Sequence, residues 1–253
     1  MAQCTYTKII NDSPIACGKC HNCRKNRTSG WSFRLQKEDA ASAASFFVTL
    51  TYNTDHVPLT KKGLMSLQPT DITNFMKRLR KELNGKIKYY VAGEYGSKRN
   101  RPHYHVIFFT YNYQDAFILP EKIEKTWKLG DIHVGTTTPE SIVYTLKYIR
   151  KASNVPFFYG DDRVKEFQRT SKGLGAKYLS EAIKKYHLDK LEDRCYATIN
   201  GHKHPLPRYY KDKIYTKVEK LKIGEHMEKT IGLRNFEQLK NARTYNERKQ
   251  KEL

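Results

Sequence analysis

The sequence predicts an α+β domain: a ferredoxin-like (split βαβ) antiparallel sheet with helices on one face. Three observations carry this expectation. Stretches rich in β-branched and aromatic residues occur at 46–52, 87–94, 103–110 and 131–135. Apolar residues at helical spacing fill 69–83 and 115–128, between the first and second stretches and between the third and fourth. Between the second and third lies only a short segment of Gly, Ser, Asn and Arg, which suits a hairpin turn. The resulting order, β-α-β-β-α-β, is that of the split βαβ arrangement.

Each element has its own justification. Phe46-Phe47-Val48-Thr49-Leu50-Thr51-Tyr52 is the first strand. Pro69-Thr70-Asp71 opens a helix to about Leu83, with Ile72, Phe75, Met76 and Leu79 toward the core, and Asn84-Gly85 ends it. Strands follow from Ile87 to Glu94 and from His103 to Thr110. The second helix turns Phe117, Ile123 and Trp127 inward and is closed by Gly130, and Asp131–Gly135 is the last strand. Pro139 sits just inside the start of an extra helix that carries Ile142, Val143, Leu146 and Ile149. After about Ser153 the pattern is irregular, with a helix expected over Tyr178–Tyr186 and an ordered loop around Pro205 and Pro207. The expected organisation is a Cys-rich basic arm at 1–35, a core at 36–153, an extension packed on it at 154–233, and a charged tail at 234–253. No internal repeat is visible.

Among 253 residues, Lys and Arg number 47 and Asp and Glu 26, a formal charge of +21 that predicts a polyanionic partner. No apolar stretch is long enough to span a bilayer, and the N-terminus lacks the pattern of a secretory signal. Nucleic acid is therefore expected rather than membrane, and a cytoplasmic location. The 18 Tyr and 11 Phe include candidates for stacking on unpaired bases, although most are expected to fill the core.

Glu94 and the run Arg101-Pro102-His103-Tyr104-His105 form the first candidate site. Histidines two apart on a strand point to one face. A turn centred near Lys98–Arg99 sets Glu94 roughly opposite His103. Two imidazoles and a carboxylate leave positions on Mg²⁺ or Mn²⁺ for phosphate oxygens and water, so the metal could act as a Lewis acid on a phosphodiester. Spacing alone leaves a second reading equally open, two polar residues on the solvated face of an edge strand. His202-Lys203-His204 has the same spacing but is expected in a loop, with no acid on a paired strand.

On the extra helix, Tyr144 and Tyr148 are four residues apart and share a face with Lys147 and Lys151. A tyrosine oxygen can attack a phosphodiester if its developing charge is neutralised by a lysine or a metal. Taken alone, an amphipathic stripe with tyrosines at its edge is the commoner explanation.

Cys17, Cys20 and Cys23 have two-residue gaps and Cys4 lies thirteen positions before them, so four thiolates could close a structural Zn²⁺ site, with His21 as a substitute ligand. An iron–sulfur run lacks its fourth Cys, and reduced thiols in a basic arm are the plain alternative. Arg24, Lys25 and Arg27 adjoin the cysteines and suit phosphate contacts, as do Lys98, Arg99, Arg101 and Lys151 nearer the other site.

The strand 46–52, the hairpin from Gly93-Glu94-Tyr95-Gly96 through Arg101-Pro102-His103-Tyr104-His105, and Tyr144-Thr-Leu-Lys147-Tyr148-Ile149 resemble the three ordered motifs of HUH endonucleases. They look most like the replication-initiation proteins of microviruses, the small icosahedral single-stranded DNA phages. Cys17–Cys23, Gly173–Leu179 and Leu206–Tyr210 extend the resemblance to residues 17–210. It implies that 36–153 is an HUH endonuclease core whose metal, held by His103, His105 and Glu94, polarises a phosphate at the phage replication origin. One tyrosine then attacks, leaving a 5′-phosphotyrosine and a 3′-hydroxyl primer for rolling-circle synthesis. The other tyrosine allows cleavage of the regenerated origin and rejoining of the displaced strand, and Lys147 positions or neutralises the phosphate. No Gly-rich phosphate loop followed by Lys-Ser or Lys-Thr is present, so strand separation is expected from a host helicase and synthesis from a host polymerase. Two other classes compete: a non-catalytic nucleic-acid binder on an RNA-recognition-like sheet, and a zinc transcription regulator that explains only the N-terminus.

Overall fold

The computed structural model describes residues 4–10, 13–150, 155–199, 201–231, 241 and 244–245. In chain order the elements are β1 (Lys8–Ile10), β2 (Ser13–Ile15), α1 (His21–Asp39), β3 (Ala44–Thr51), α2 (Pro69–Glu82), β4 (Ile87–Tyr95), β5 (Pro102–Thr110), α3 (Tyr113–Trp127), β6 (Ile132–Thr136), α4 (Pro139–Arg150), β7 (Phe167–Thr170), a 3₁₀ turn (Ala176–Tyr178), α5 (Glu181–Asp189), β8 (Tyr196–Ile199), β9 (His202–Pro205), α6 (Arg208–Ile214) and α7 (Lys217–Ile231). The expected tail at 234–253 falls outside the described residues except for 241, 244 and 245.

The chain divides into two compact units, one of residues 35–148 and 152–175, the other of 1–34, 149–151 and 176–253. The first unit holds a five-stranded sheet of order β6-β3-β5-β4-β7, with every pair antiparallel. Without β7 this is the ferredoxin-like order expected from the sequence. β7 pairs with β4 through Gly93↔Phe167 to Tyr90↔Thr170 and takes the edge beyond it.

One face of this sheet is the core. Val48 and Leu50 of β3, Val91 of β4, and Tyr104, Val106 and Phe108 of β5 pack against Ile72, Phe75, Met76 and Leu79 of α2 and Leu119, Ile123 and Trp127 of α3. Trp127 is fully buried, edge-on to Phe75, and its indole N–H donates to the Thr51 carbonyl at 2.8 Å. Fully burying one such side chain is worth roughly 1.5–3 kcal/mol, so this face dominates the stability of the unit. Phe117 was expected inward with Ile123 and Trp127, but it is 88% exposed. The buried stripe of α3 runs through Ala116, Leu119, Ile123 and Trp127, and position 117 lies about 100° around the helix from 116.

The end of α3 corrects one expected stop signal, whereas α2 ends at Glu82, just before Asn84-Gly85, as expected. Lys128, at a φ of 41°, caps α3 in the left-handed conformation, where Gly130 was expected to close it. Gly130 serves a close approach instead, since a Cβ there would sit 2.4 Å from the Asn53 nitrogen and 2.5 Å from the Thr51 oxygen. The buried Asp115 carboxylate accepts the backbone N–H groups of Asn84 and Gly85 at 3.1 and 2.7 Å, fixing the turn between α2 and β4 to the start of α3.

In the second unit, Phe33, Cys195, Ala197, Leu206, Tyr210, Ile214, Tyr215 and Ile223 form a separate core. Phe33, Tyr178 and Tyr210 meet there as an aromatic trio, with ring centroids 4.9 to 5.8 Å apart. His202 and His204 lie on β9, opposite Ile199 and Ala197 of β8, so the loop expected around them is a short hairpin. Neither partner is a carboxylate. The helix expected over 178–186 starts later, at Glu181, with the Ser180 hydroxyl accepting the Ile183 N–H at 3.2 Å.

Candidate active site

Antiparallel pairing of β4 and β5 sets Glu94 opposite His103 and Ala92 opposite His105. A six-residue loop, 96–101, connects the strands. Gly96 donates its N–H to the Arg101 carbonyl at 3.0 Å, and Asn100 adopts a φ of 48°, which Asn tolerates better than most residues. The Arg101 guanidinium donates to the Tyr52 carbonyl at 2.8 Å, tying the loop to the end of β3. With Tyr104, Val106 and Phe108 in the core, strand alternation sends His103 and His105 to the opposite face.

On that face the two Nε2 atoms lie 2.6 and 2.7 Å from the same oxygen, Glu94 Oε1. Glu94 is 1% exposed and its Oε2 is buried without a hydrogen-bond partner. His103 Nδ1 faces the Arg101 carbonyl at 3.2 Å. A carbonyl only accepts, so Nδ1 carries the proton and the Nε2 of a neutral ring presents a lone pair to Glu94. Either a proton on Nε2 or a metal ion therefore lies between Nε2 and the Glu94 oxygen 2.6 Å away. The ligand atoms of Glu94, His103 and His105 lie within 4.8 Å of one another, and this mixed nitrogen and oxygen set fits a divalent metal. Burial pushes the Glu94 carboxyl up, but hydrogen bonds to His103 and His105 outweigh it, and the net displacement is below the usual carboxylate range.

His105 is held from the other side by groups that motif reading missed. Its Nδ1 contacts the Thr49 hydroxyl at 3.1 Å, and Phe47 stacks on its ring with centroids 5.5 Å apart. The available signal was register: Thr49 is the β3 partner of His105, and Phe47 lies two residues before it on the same face.

α4 approaches this second face, so α2 and α3 share one side of the sheet and the extra helix covers the other. Ile142 and Leu146 are buried as expected, whereas Val143 is 48% exposed. Tyr144 lies edge-on to His105, with centroids 5.0 Å apart, and the Lys147 ammonium sits 4.3 Å from the centre of the Tyr144 ring. Burial first, and then the negative charge of Glu94, push the Tyr144 hydroxyl above its usual range. The Tyr148 side chain and the whole of Lys151 fall outside the described residues. Beside His103 opens a cavity of about 440 Å³ lined by Thr51, Lys98, Arg99 and Arg101, which places three of the residues expected to contact phosphate next to that histidine.

The second cluster lies in the other unit. The sulfurs of Cys4, Cys17, Cys20 and Cys23 are all within 4.8 Å of one another, with Cys17 to Cys23 and Cys4 to Cys20 at 4.0 Å. Tetrahedral zinc with bonds of about 2.3 Å sets sulfurs about 3.8 Å apart, so the quartet fits that ion. Backbone N–H groups of Cys17 and Cys20 donate to the sulfurs of Cys4 and Cys17 at 3.2 and 3.3 Å. Burial raises the Cys20 thiol, but hydrogen bonds from the Thr5 side chain and backbone outweigh it and bring Cys20 down to about 6. Arg24, Lys25 and Arg27 follow on α1.

A His-x-His strand and an acidic strand at the centre of a split βαβ sheet, followed by a tyrosine-bearing helix, define the HUH class of fold. The model of a family of replication-associated proteins, the ORF2 type, matches residues 45–153. The replication-associated protein ORF2 of Spiroplasma virus 4 is 34% identical over 80% of this chain and 68% of its own length. VP4 of Bdellovibrio phage phiMH2K, also a replication-associated protein, is 32% identical over 81% of this chain and 69% of its own. The replication-associated protein ORF4 of Chlamydia phage 1 is 26% identical over 79% and 53%. A solved nuclease domain of the minute virus of mice non-structural protein 1 aligns over 65% of this chain and 84% of its own, with 11% identity and a TM-score of 0.21, too low to define a shared fold. The chain belongs to the family of phage replication-associated proteins, of the microvirus type. No helix among the described residues is long and apolar enough to cross a membrane.

Proposed function

We propose that the chain initiates rolling-circle replication by nicking the phage origin through a tyrosine nucleophile, in a reaction that depends on a divalent metal. The observation that carries this reading is the convergence of Glu94, His103 and His105 on one point, with Tyr144 packed edge-on against the last of them. Glu94, His103 and His105 would hold Mg²⁺ or Mn²⁺, which when bound polarises the scissile phosphate and offsets the negative charge that develops in the transition state.

The protein's own groups do the rest. Tyr144 presents its hydroxyl to the phosphate, and Lys147 supports the phenolate as it forms. The Tyr144 oxygen bonds to phosphorus as its proton passes to solvent, the bond from phosphorus to the 3′ oxygen breaks, and that oxygen takes a proton from solvent to become the primer hydroxyl. The 5′ end stays on the tyrosine. Tyr148, about one turn further along α4, is the other nucleophile; whichever of the two acts first, its partner serves the second cleavage, and the primer hydroxyl formed there closes the displaced strand by attacking the first phosphotyrosine.

Lys98, Arg99 and Arg101 contact the DNA backbone beside the metal, and Arg24, Lys25, Arg27 and Lys151 add further backbone contacts. The cysteine quartet would hold a structural Zn²⁺, which would fix the start of α1. Unwinding and synthesis come from a host helicase and polymerase in the host cytoplasm. A protein that only bound nucleic acid would need neither the facing acceptors nor a tyrosine against them. The test is cleavage of single-stranded origin DNA with and without Mn²⁺. His103→Ala should lose the metal stimulation and His202→Ala should keep it, whereas equal loss in both overturns the assignment.

A further inference from the structure

The α1 face that follows the cysteines has a use that the nicking chemistry does not absorb. Arg27, Trp31 and Arg34 lie on it at helical spacing and, together with Arg208 and Tyr209 at the start of α6, line a cavity of about 520 Å³. All of these residues belong to the same compact unit. Three arginines contribute to the lining and no acidic residue does. The Arg34 guanidinium is clamped between two rings, 4.2 Å from the centre of Trp31 and 4.1 Å from that of Tyr209. Such a clamp removes most of the side chain's rotational freedom and confines its hydrogen bonding to the edge of the guanidinium plane. A pre-organised guanidinium flanked by further arginines suits a phosphate, and flat aromatic edges beside it suit a base. The volume lies within the range of small-molecule sites, and stacking on a ring beside the arginines requires a base that is free of its partner strand.

We infer that this cavity holds one unpaired nucleotide of single-stranded DNA, its phosphate between Arg27, Arg34 and Arg208 and its base against Trp31 and Tyr209. The inference rests on the reading that DNA is the substrate, but not on the metal, the tyrosines or the nick. It gives the second unit a definite role, to hold single strand through residues separate from the candidate metal ligands and tyrosines.

The chain has two tryptophans. Trp127 is fully buried in the other unit's core, so Trp31 is the one a base can reach. Titrating the full-length protein with a short oligothymidylate, with no divalent metal added, should quench tryptophan emission, and a duplex of the same length should not. Trp31→Phe should remove the quenching. The exposed pair Arg27→Ala and Arg208→Ala, together, should raise the concentration for half-quenching about tenfold and lower its salt slope by about one to two. Absence of quenching, an equal response to duplex, or an unchanged half-point in the arginine variant overturns the inference. Failure of the nickase reading would instead show as a missing covalent adduct with the quenching intact.

Discussion

Tyr144 meets His105 edge to face, ring centroids 5.0 Å apart at 80°, and Phe47 braces both, stacked on His105 and edge-on to Tyr144 at 6.2 Å. The proposed nucleophile and one of the proposed metal ligands therefore share one aromatic support. Phe47→Ala should lower the rate of origin cleavage by about a hundredfold, the usual cost of loosening a reacting group by about an ångström. DNA affinity measured by anisotropy should stay within about twofold. Parallel loss of affinity would assign Phe47 to binding instead.

The Lys147 ammonium lies 4.3 Å from the centre of the Tyr144 ring. The Tyr144 hydroxyl is held above its usual range by burial and by Glu94, so it is protonated at neutral pH and its anion must be stabilised as it forms. Lys147→Met should slow adduct formation by about 10²–10³-fold near neutrality. Where the pH is high enough to ionise the phenol directly, less help from the ammonium is needed, so the deficit should shrink as the pH rises. A deficit that is constant across the pH profile would mean that Lys147 does not act on the phenol.

Glu38 and Lys88 form a buried ion pair at 2.8 Å, and Glu38 also accepts from the Tyr111 hydroxyl and the Gly175 N–H. Burial pushes the Glu38 carboxyl up, but Lys88, Tyr111 and Gly175 outweigh it and the net displacement is downward. A carboxyl lowered in the folded state adds stability above its unfolded value of about 4.3, and that stability is lost as the pH falls toward the folded value. Lys88→Met should cost about 3–5 kcal/mol near pH 7, because it strands a buried charge. The cost should fall by about pH 4, where Glu38 can take a proton. Urea denaturation at the two pH values checks both the size and the sign.

The sheet and half of the site were legible because both depend on local pattern. Period-2 alternation and the length of the 96–101 loop fix the Glu94–His103 register, and helical spacing fixes Ile72, Phe75, Met76 and Leu79. What could not be read depends on distant pairing. Phe167–Thr170 is four residues with little apolar pattern, a strand only because the edge of β4 is open to it. The 202–205 strand likewise exists through its partner at 196–199. α1 carries few apolar residues and a central Gly30, so its helical character comes from its Phe33 face, which packs on residues more than 140 positions away. Thr49 and Phe47 became site residues only when β3 was paired with β5.

The cysteine quartet should bind close to one equivalent of zinc when the protein is purified under reducing conditions, measured by elemental analysis. Cys20→Ser should remove it, and His103→Ala should not. Protein that is folded, reduced and free of zinc would leave the four sulfurs as a packing cluster.

The most direct measurement is the covalent adduct itself. Purified protein, Mn²⁺ and single-stranded origin DNA should yield a protein–DNA linkage that peptide mass spectrometry maps to Tyr144 or Tyr148. Replacing both with Phe should abolish it. An adduct that persists in the double variant, or that maps outside α4, would contradict the nucleophile assignment and the reading of the site built on it.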